Sequence, residues 1–142
     1  MVLNNERRIA NPRTIDVTAA IFKDGNKILV ARRASGQSLA QKWEFPGGKI
    51  EEGESPETCL ARELLEEFGV QVKVGEFVCD SVYEYPGKRI RLMAYYVEKI
   101  AGEFALTVHD EIRWVERERL LEVDLAPADV PIARRMVVSS NR

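Results

Sequence analysis

The chain carries only two cysteines, a single histidine and no surplus of basic charge, and each shortage excludes a class of function. Cys59 and Cys79 form no Cys-x-x-Cys pair and no framework of paired spacings, which rules out a disulfide-stapled scaffold and points to a reducing compartment, the cytoplasm. Both read as small buried apolar residues, not as nucleophiles. His109 stands beside a loop, where an isolated histidine is expected to be exposed and without a catalytic or ligand role. The 21 Lys and Arg against 23 Asp and Glu leave a net charge of −2, contrary to what a partner of nucleic-acid backbones requires. No apolar run approaches the roughly 20 residues of a membrane span. Met1 to Arg13 lacks the apolar core of a secretion signal.

What remains is a chain of 142 residues without repeats or low-complexity segments, enough for one domain with a real core. Residues 1–13 read as a loose tail ending near Asn11-Pro12, and 14–142 as the domain. Thr14 to Phe22 and Lys27 to Ala31 are apolar and β-branched and flank Asp24-Gly25, a hairpin signal. Arg32 to Gln41 is small and polar and reads as a loop. Val70 to Tyr83 and Arg89 to Glu98 are strand-rich and joined through Tyr85-Pro86-Gly87, a turn. Glu111 to Val115 alternates, which predicts a further strand with Trp114 facing in. Arg117 to Leu121 suits a short helical turn, and Pro127 to Val137 a terminal helix. Strands on either side of a central helix, with a second helix at the end, predict a mixed sheet covered on both faces.

The central helix is the most informative stretch. Gly48 to Val70 reads GKIEEGESPETCLARELLEEFGV. Ser55 is a capping residue, Pro56 suits the first turn, Glu57 suits the positive end of the dipole, and Gly69 is a stop. Glu63, Glu66 and Glu67 are spaced i, i+3 and i+4, so three carboxylates share one arc, with Ala61, Leu64, Leu65 and Phe68 expected on the opposite one. Like charges so close repel. A solvated acidic face is one explanation and a hard divalent cation bound through oxygen is the other. Upstream, Pro46-Gly47-Gly48 lets the backbone turn sharply and approach a ligand closely.

The stretch matches, at Gly48, Glu54, Arg62, Glu63, Leu64, Glu66, Glu67, Gly69 and Val70, the pattern Gly-x5-Glu-x7-Arg-Glu-apolar-x-Glu-Glu-x-Gly-apolar. On it the chain resembles the Nudix hydrolases. The likeness extends to Ala31-Arg32-Arg33-Ala34, to WEFPGGKIEEGE at Trp43 to Glu54 and to APADVP at Ala126 to Pro131, and is closest to the MutT-like branch and its CTP pyrophosphohydrolase type. The resemblance implies an α/β/α sandwich around a mixed β-sheet. It also implies Mg2+ as cofactor, with Mn2+ as a substitute, and hydrolysis of a nucleoside triphosphate to the monophosphate and pyrophosphate. The partner would be a small nucleotide, with no nucleic acid and no membrane, and the oligomeric state is left open.

The same resemblance assigns Glu63, Glu66 and Glu67 to the metal together with the carbonyl of Gly47, and adds Glu111 from the strand near Trp114. Glu66 or Glu67 would activate the attacking water, Arg62 would hold the glutamates in place, and Glu54 would tie the loop to the helix. Arg33, Glu44, Phe45 and Lys49 would surround the nucleotide, with Asp129 meeting the base. An ionised Asp129 only accepts hydrogen bonds and would favour a base that offers a donor, such as the amino group of cytosine or the N7 hydrogen of 8-oxoguanine, and would disfavour the acceptor N7 of guanine unless Asp129 were protonated. Two other functions keep the same motif. One is hydrolysis of another nucleoside diphosphate derivative, such as ADP-ribose or a dinucleoside polyphosphate, and the other is nucleotide binding without turnover.

Overall fold

Strands buried on both faces read as unbroken apolar runs, and the centre of this sheet is built from three of them. The computed structural model describes residues 13–139. Its elements are β1 (Arg13–Asp24), β2 (Lys27–Arg33), β3 (Trp43–Glu44), α1 (Pro56–Phe68), β4 (Gln71–Tyr85), β5 (Lys88–Ala101), β6 (His109–Glu116), two 3-10 turns at Arg117–Glu122 and Pro127–Asp129, and α2 (Val130–Ser139). The strand order is β3-β2-β1-β5-β4, with β6 on β2; β1 and β5 run parallel and the other pairs antiparallel, so the sheet is mixed. Ala19, Ile21, Val30 and Ala94 pack on one face with Ile132, Ala133 and Met136 of α2, while Ala20, Phe22, Leu29 and Met93 pack on the other with Leu60, Leu64 and Phe68 of α1. This is the expected sandwich. Apart from Arg13, the proposed tail lies outside the described residues; Arg13 itself is already paired with Lys88 in the sheet.

The hairpin at Asp24-Gly25 forms, but β1 and β2 stay paired only at Lys23–Ile28 and Asp24–Lys27. Beyond that they part. Pro46 to Ile50 fills the seam: Ala20 N–H donates to Pro46 O (2.7 Å), Thr18 N–H to Gly48 O (2.8 Å) and Ile50 N–H to Asp16 O (2.9 Å). The Thr18 hydroxyl adds a second bond to Gly48 O at 3.1 Å. A Cβ on Gly47 would sit 2.0 Å from the Thr18 carbonyl oxygen, so only glycine lets the loop lie this close to β1.

Helix α1 starts and stops as its sequence predicts. The Ser55 hydroxyl accepts from Thr58 N–H at 3.1 Å, and Gly69 takes a left-handed φ of 71° while its N–H returns to Leu65 O at 3.0 Å. Its faces are arranged differently from the expectation. Leu60, Leu64 and Phe68 are buried, but Leu65 is 51% exposed, so the acidic arc adjoins the apolar stripe and does not oppose it. The wheel explains this, since Glu67 lies only about 20° from Leu60. In β6 it is Val115 that is buried and Trp114 that is partly covered. Arg32 and Arg33 belong to β2, not to the following loop. Among the described residues no helix is long and apolar enough to cross a membrane.

Replacing Gly47 with alanine forces backbone against backbone, and is expected to lower unfolding stability by about 1–3 kcal/mol, read as a shift in the denaturant midpoint at unchanged slope.

Candidate active site

Arg62 is the hub around which loop and helix are assembled. Its Nε and Nη2 hold Glu54 in a two-pronged pair at 2.6 and 3.0 Å, Nη1 meets Glu63 at 3.2 Å and Glu66 at 3.1 Å, and Nη2 also reaches Lys49 O at 3.3 Å. Such bidentate pairs are the strong ones. Glu54 closes the loop on itself as well, because its Oε1 accepts from Glu51 N–H at 3.0 Å. The Arg62 guanidinium, followed by that backbone bond, draws the Glu54 carboxyl down to about 2.

Glu67 behaves in the opposite way. Burial pushes its carboxyl up to about 8, and the charge of Glu63, a hydrogen bond with Glu63 and the charge of Glu44 add to the rise while Arg33 opposes it. Glu63 and Glu67 line one end of a cleft of about 600 Å3 that also includes Gly47, Gly48 and Lys49. The arrangement suits a hard cation. Two crowded carboxylates carry negative charge that a divalent ion would relieve, and Gly48 leaves the Glu63 carboxyl its place, since a Cβ there would lie 2.2 Å from Glu63 Cδ.

The five-member ligand set of the sequence reading is only partly gathered. Among the described residues no three His, Cys, Asp or Glu side chains converge on one point. Glu66 is turned to Arg62, with its side chain 58% exposed, and Glu111 pairs with Arg113 at 3.2 Å and Arg32 at 3.6 Å. Glu66 and Glu111 are thus held away by guanidinium groups, whereas Glu63, itself touched by Arg62, and Glu67 line the cleft.

The far end of the cleft is apolar, with Tyr85, Leu92 and Ala128 around Phe45 and Asp129. Asp129 is 5% exposed, and its Oδ2 accepts from Phe45 N–H at 3.0 Å. Burial, reinforced by Glu44, raises its carboxyl well above the usual carboxylate range. The direction favours the protonated form, the condition under which the sequence reading admits an acceptor edge such as guanine N7. A protonated carboxyl both donates and accepts, and a base with an acceptor edge is no longer disfavoured.

Between the two ends lies a set of contacts with no signal in the sequence. His109 is 3% exposed, contrary to the exposed loop position expected for it. Its ring stacks on Phe68 of α1 with centroids 4.9 Å apart, and Nε2 lies 2.8 Å from Glu44 Oε2, the same oxygen that accepts from Arg33 Nη1 at 3.0 Å. The strand start accounts for the difference: β6 begins at His109, two residues before the strand expected from Glu111, and His109 pairs there with Arg33. Leu39 (φ 55°) and Gln41 (φ 71°) take left-handed backbones in the loop beside Arg33, and Leu39 borders the cleft. Neither residue type announces this.

Glu54 supplies a pH test of the hub. Its carboxyl is depressed from 4.5 to about 2, so the stabilisation is complete above about 4.5 and is lost as pH falls towards about 2. Glu54→Gln should lower the melting temperature at pH 7, and the gap to the wild type should close on acidification through that window.

Comparison with known proteins places this geometry. The NUDIX domain model matches residues 12–136. A CTP pyrophosphohydrolase of Escherichia coli is 40% identical over 120 residues, 84% of this chain and 89% of the relative. An 8-oxo-dGTP diphosphatase of Haemophilus influenzae is 36% identical over 126 residues, 88% of this chain and 93% of the relative. The solution structure of the E. coli ORF135 protein superposes with a TM-score of 0.81 at 38% identity, covering 92% of this chain and 94% of that one.

Proposed function

The chain belongs to the Nudix hydrolases, and from that premise we propose that it is a Mg2+-dependent nucleoside triphosphate pyrophosphohydrolase of the cytoplasmic nucleotide pool, releasing a monophosphate and pyrophosphate. The observation that carries the reading is one cleft with two chemistries: the Glu63–Glu67 carboxylate pair beside the Gly47–Gly48 loop at one end, and an apolar pocket over the buried Asp129 at the other. A triphosphate and its base need those two environments at once. Relatives of similar length named CTP pyrophosphohydrolase and 8-oxo-dGTP diphosphatase support the substrate class.

Glu63 and Glu67, with the Gly47 carbonyl, would hold the cation, and Glu66 and Glu111 would join them by leaving their arginine partners. A divalent cation bound there neutralises charge on phosphate oxygens and lowers the pKa of a water. The protein's own groups do the remaining work. Arg62 fixes the direction of the Glu63 carboxylate while Glu54 fixes Arg62, so the acidic pair is oriented before the substrate arrives. Glu67 is the better candidate for taking the proton of the attacking water. It lines the cleft beside Glu63, whereas Glu66 is exposed and paired with Arg62. Lys49 and Arg33 meet the anionic chain of the substrate, Phe45 offers a face to the base, and Asp129 addresses its edge.

Incubation with Mg2+ and CTP, 5-methyl-dCTP, dGTP or 8-oxo-dGTP should yield pyrophosphate and the monophosphate. Orthophosphate as the sole phosphate product, or no turnover of any triphosphate, would refute the reading. Glu67→Gln should lower kcat by about 100-fold or more at an unchanged melting temperature. A near-normal rate would remove Glu67 from the chemistry.

A further inference from the structure

The segment that delivers Asp129 to the cleft is held from both margins of the sheet. On the β3 side, Trp43 N–H donates to Asp124 O at 2.9 Å and Ala126 N–H to Trp43 O at 2.8 Å, while Phe45 N–H holds Asp129 Oδ2 at 3.0 Å. On the β4 side, at the other end of the strand order, the Ser81 hydroxyl donates to Ala128 O at 2.8 Å and Tyr85 Oη accepts from Ala128 N–H at 3.3 Å. Both backbone polar groups of the residue next to Asp129 are thus satisfied by side chains of one strand.

Ser81 and Tyr85 are four residues apart and share a face of β4, which lets them take the carbonyl and the amide of a single residue. Ser81 is 8% exposed, and a buried hydroxyl without a partner is costly, so its bond to Ala128 is the natural resting place of that proton. Tyr85 lines the cleft itself. Its oxygen is used as an acceptor by Ala128, which leaves the phenolic proton for donation. The consequence is geometric. Asp129 has its carboxyl anchored by Phe45 and its preceding residue anchored by Ser81 and Tyr85, so neither end of the residue moves independently.

We propose, resting on the reading of the cleft given above, that Ser81 and Tyr85 are specificity-determining positioning residues: by clamping Ala128 they set where Asp129 meets the base, and so which base is accepted. A site that recognises a base through buried hydrogen bonds discriminates by placement, and a displaced carboxyl loses its preferred base before it loses the others. Among the described residues the phosphate end shares no hydrogen bond with Ser81 or Tyr85, so the effect belongs to nucleotide choice and not to the chemical step.

The test compares kcat and KM for CTP, 8-oxo-dGTP and dGTP in the wild type, Ser81→Ala, Ser81→Thr and Tyr85→Phe. The clamp predicts that Ser81→Ala and Tyr85→Phe change the ratio of kcat/KM between the best and the worst nucleotide by about fivefold, through KM. Ser81→Thr, which keeps the hydroxyl, should restore the wild-type ratio, and Tyr85→Phe should change the ratio little further once Asp129→Asn is present. Wild-type ratios in Tyr85→Phe, or an equal fall in kcat for every nucleotide, would overturn the proposal. If Ser81→Ala does not fold, Tyr85→Phe decides alone, since it removes one oxygen at the edge of the cleft. A wild-type protein that hydrolyses none of the nucleotides would overturn the reading of the cleft and the clamp together. One that discriminates while its variants keep the same ratio would overturn the clamp only.

Discussion

One guanidinium organises the acidic end of this molecule. Arg62 binds Glu54 with two parallel bonds, touches Glu63 and Glu66, and reaches the carbonyl of Lys49, so loop, helix start and helix face meet on a single planar group. A lysine could not replace it, because a point charge lacks the fork that takes both Glu54 oxygens while leaving donors for the rest. The geometry also divides the carboxylates by function. Glu54 is held ionised, with its proton affinity driven down by the guanidinium, whereas Glu67, buried and pressed against Glu63, has its affinity driven up. Two glutamates thirteen positions apart in the chain are thereby given opposite acid–base character, one by a cation and the other by burial beside a second carboxylate.

The loop-helix was legible in the sequence because its constraints are local. A cap at Ser55, a stop at Gly69 and the Arg62 spacing all act within a few turns, and the structure places them as read. The sandwich and the mixed sheet were legible for a related reason, since runs such as Ala19 to Phe22 must be covered on both faces. What escaped depended on distant pairing. The burial of His109 follows from its pairing with Arg33 and its stacking on Phe68, both far away in sequence, and the raised carboxyl of Asp129 follows from burial and from Glu44, which lies on another strand. The rotation of the α1 faces was within reach, because the wheel already puts Glu67 beside Leu60.

The contacts between the two ends of the cleft explain how a small domain keeps them in register. Glu44 is bonded to both Arg33 and His109, and His109 is stacked on Phe68, the residue after Glu67. The strand that carries Glu44 is therefore linked to the helix that carries the carboxylates through His109 of β6. The 124–129 segment, bonded to β3 and β4, closes the opposite side. Separation between the phosphate and base environments is then set by packed rings and short polar bonds, not by a flexible hinge.

The parting of β1 from β2 after two residue pairs has a consequence for motion. Because Pro46 to Ile50 occupies the place a strand would have taken, the Pro46 and Gly48 carbonyls and the Ile50 amide are rungs of the sheet ladder. Swinging that loop outward would mean unzipping the middle of the sheet, an event close in free energy to global unfolding. The loop is thus a fixed wall of the cleft, which Leu39, with its left-handed backbone, borders from the segment after β2.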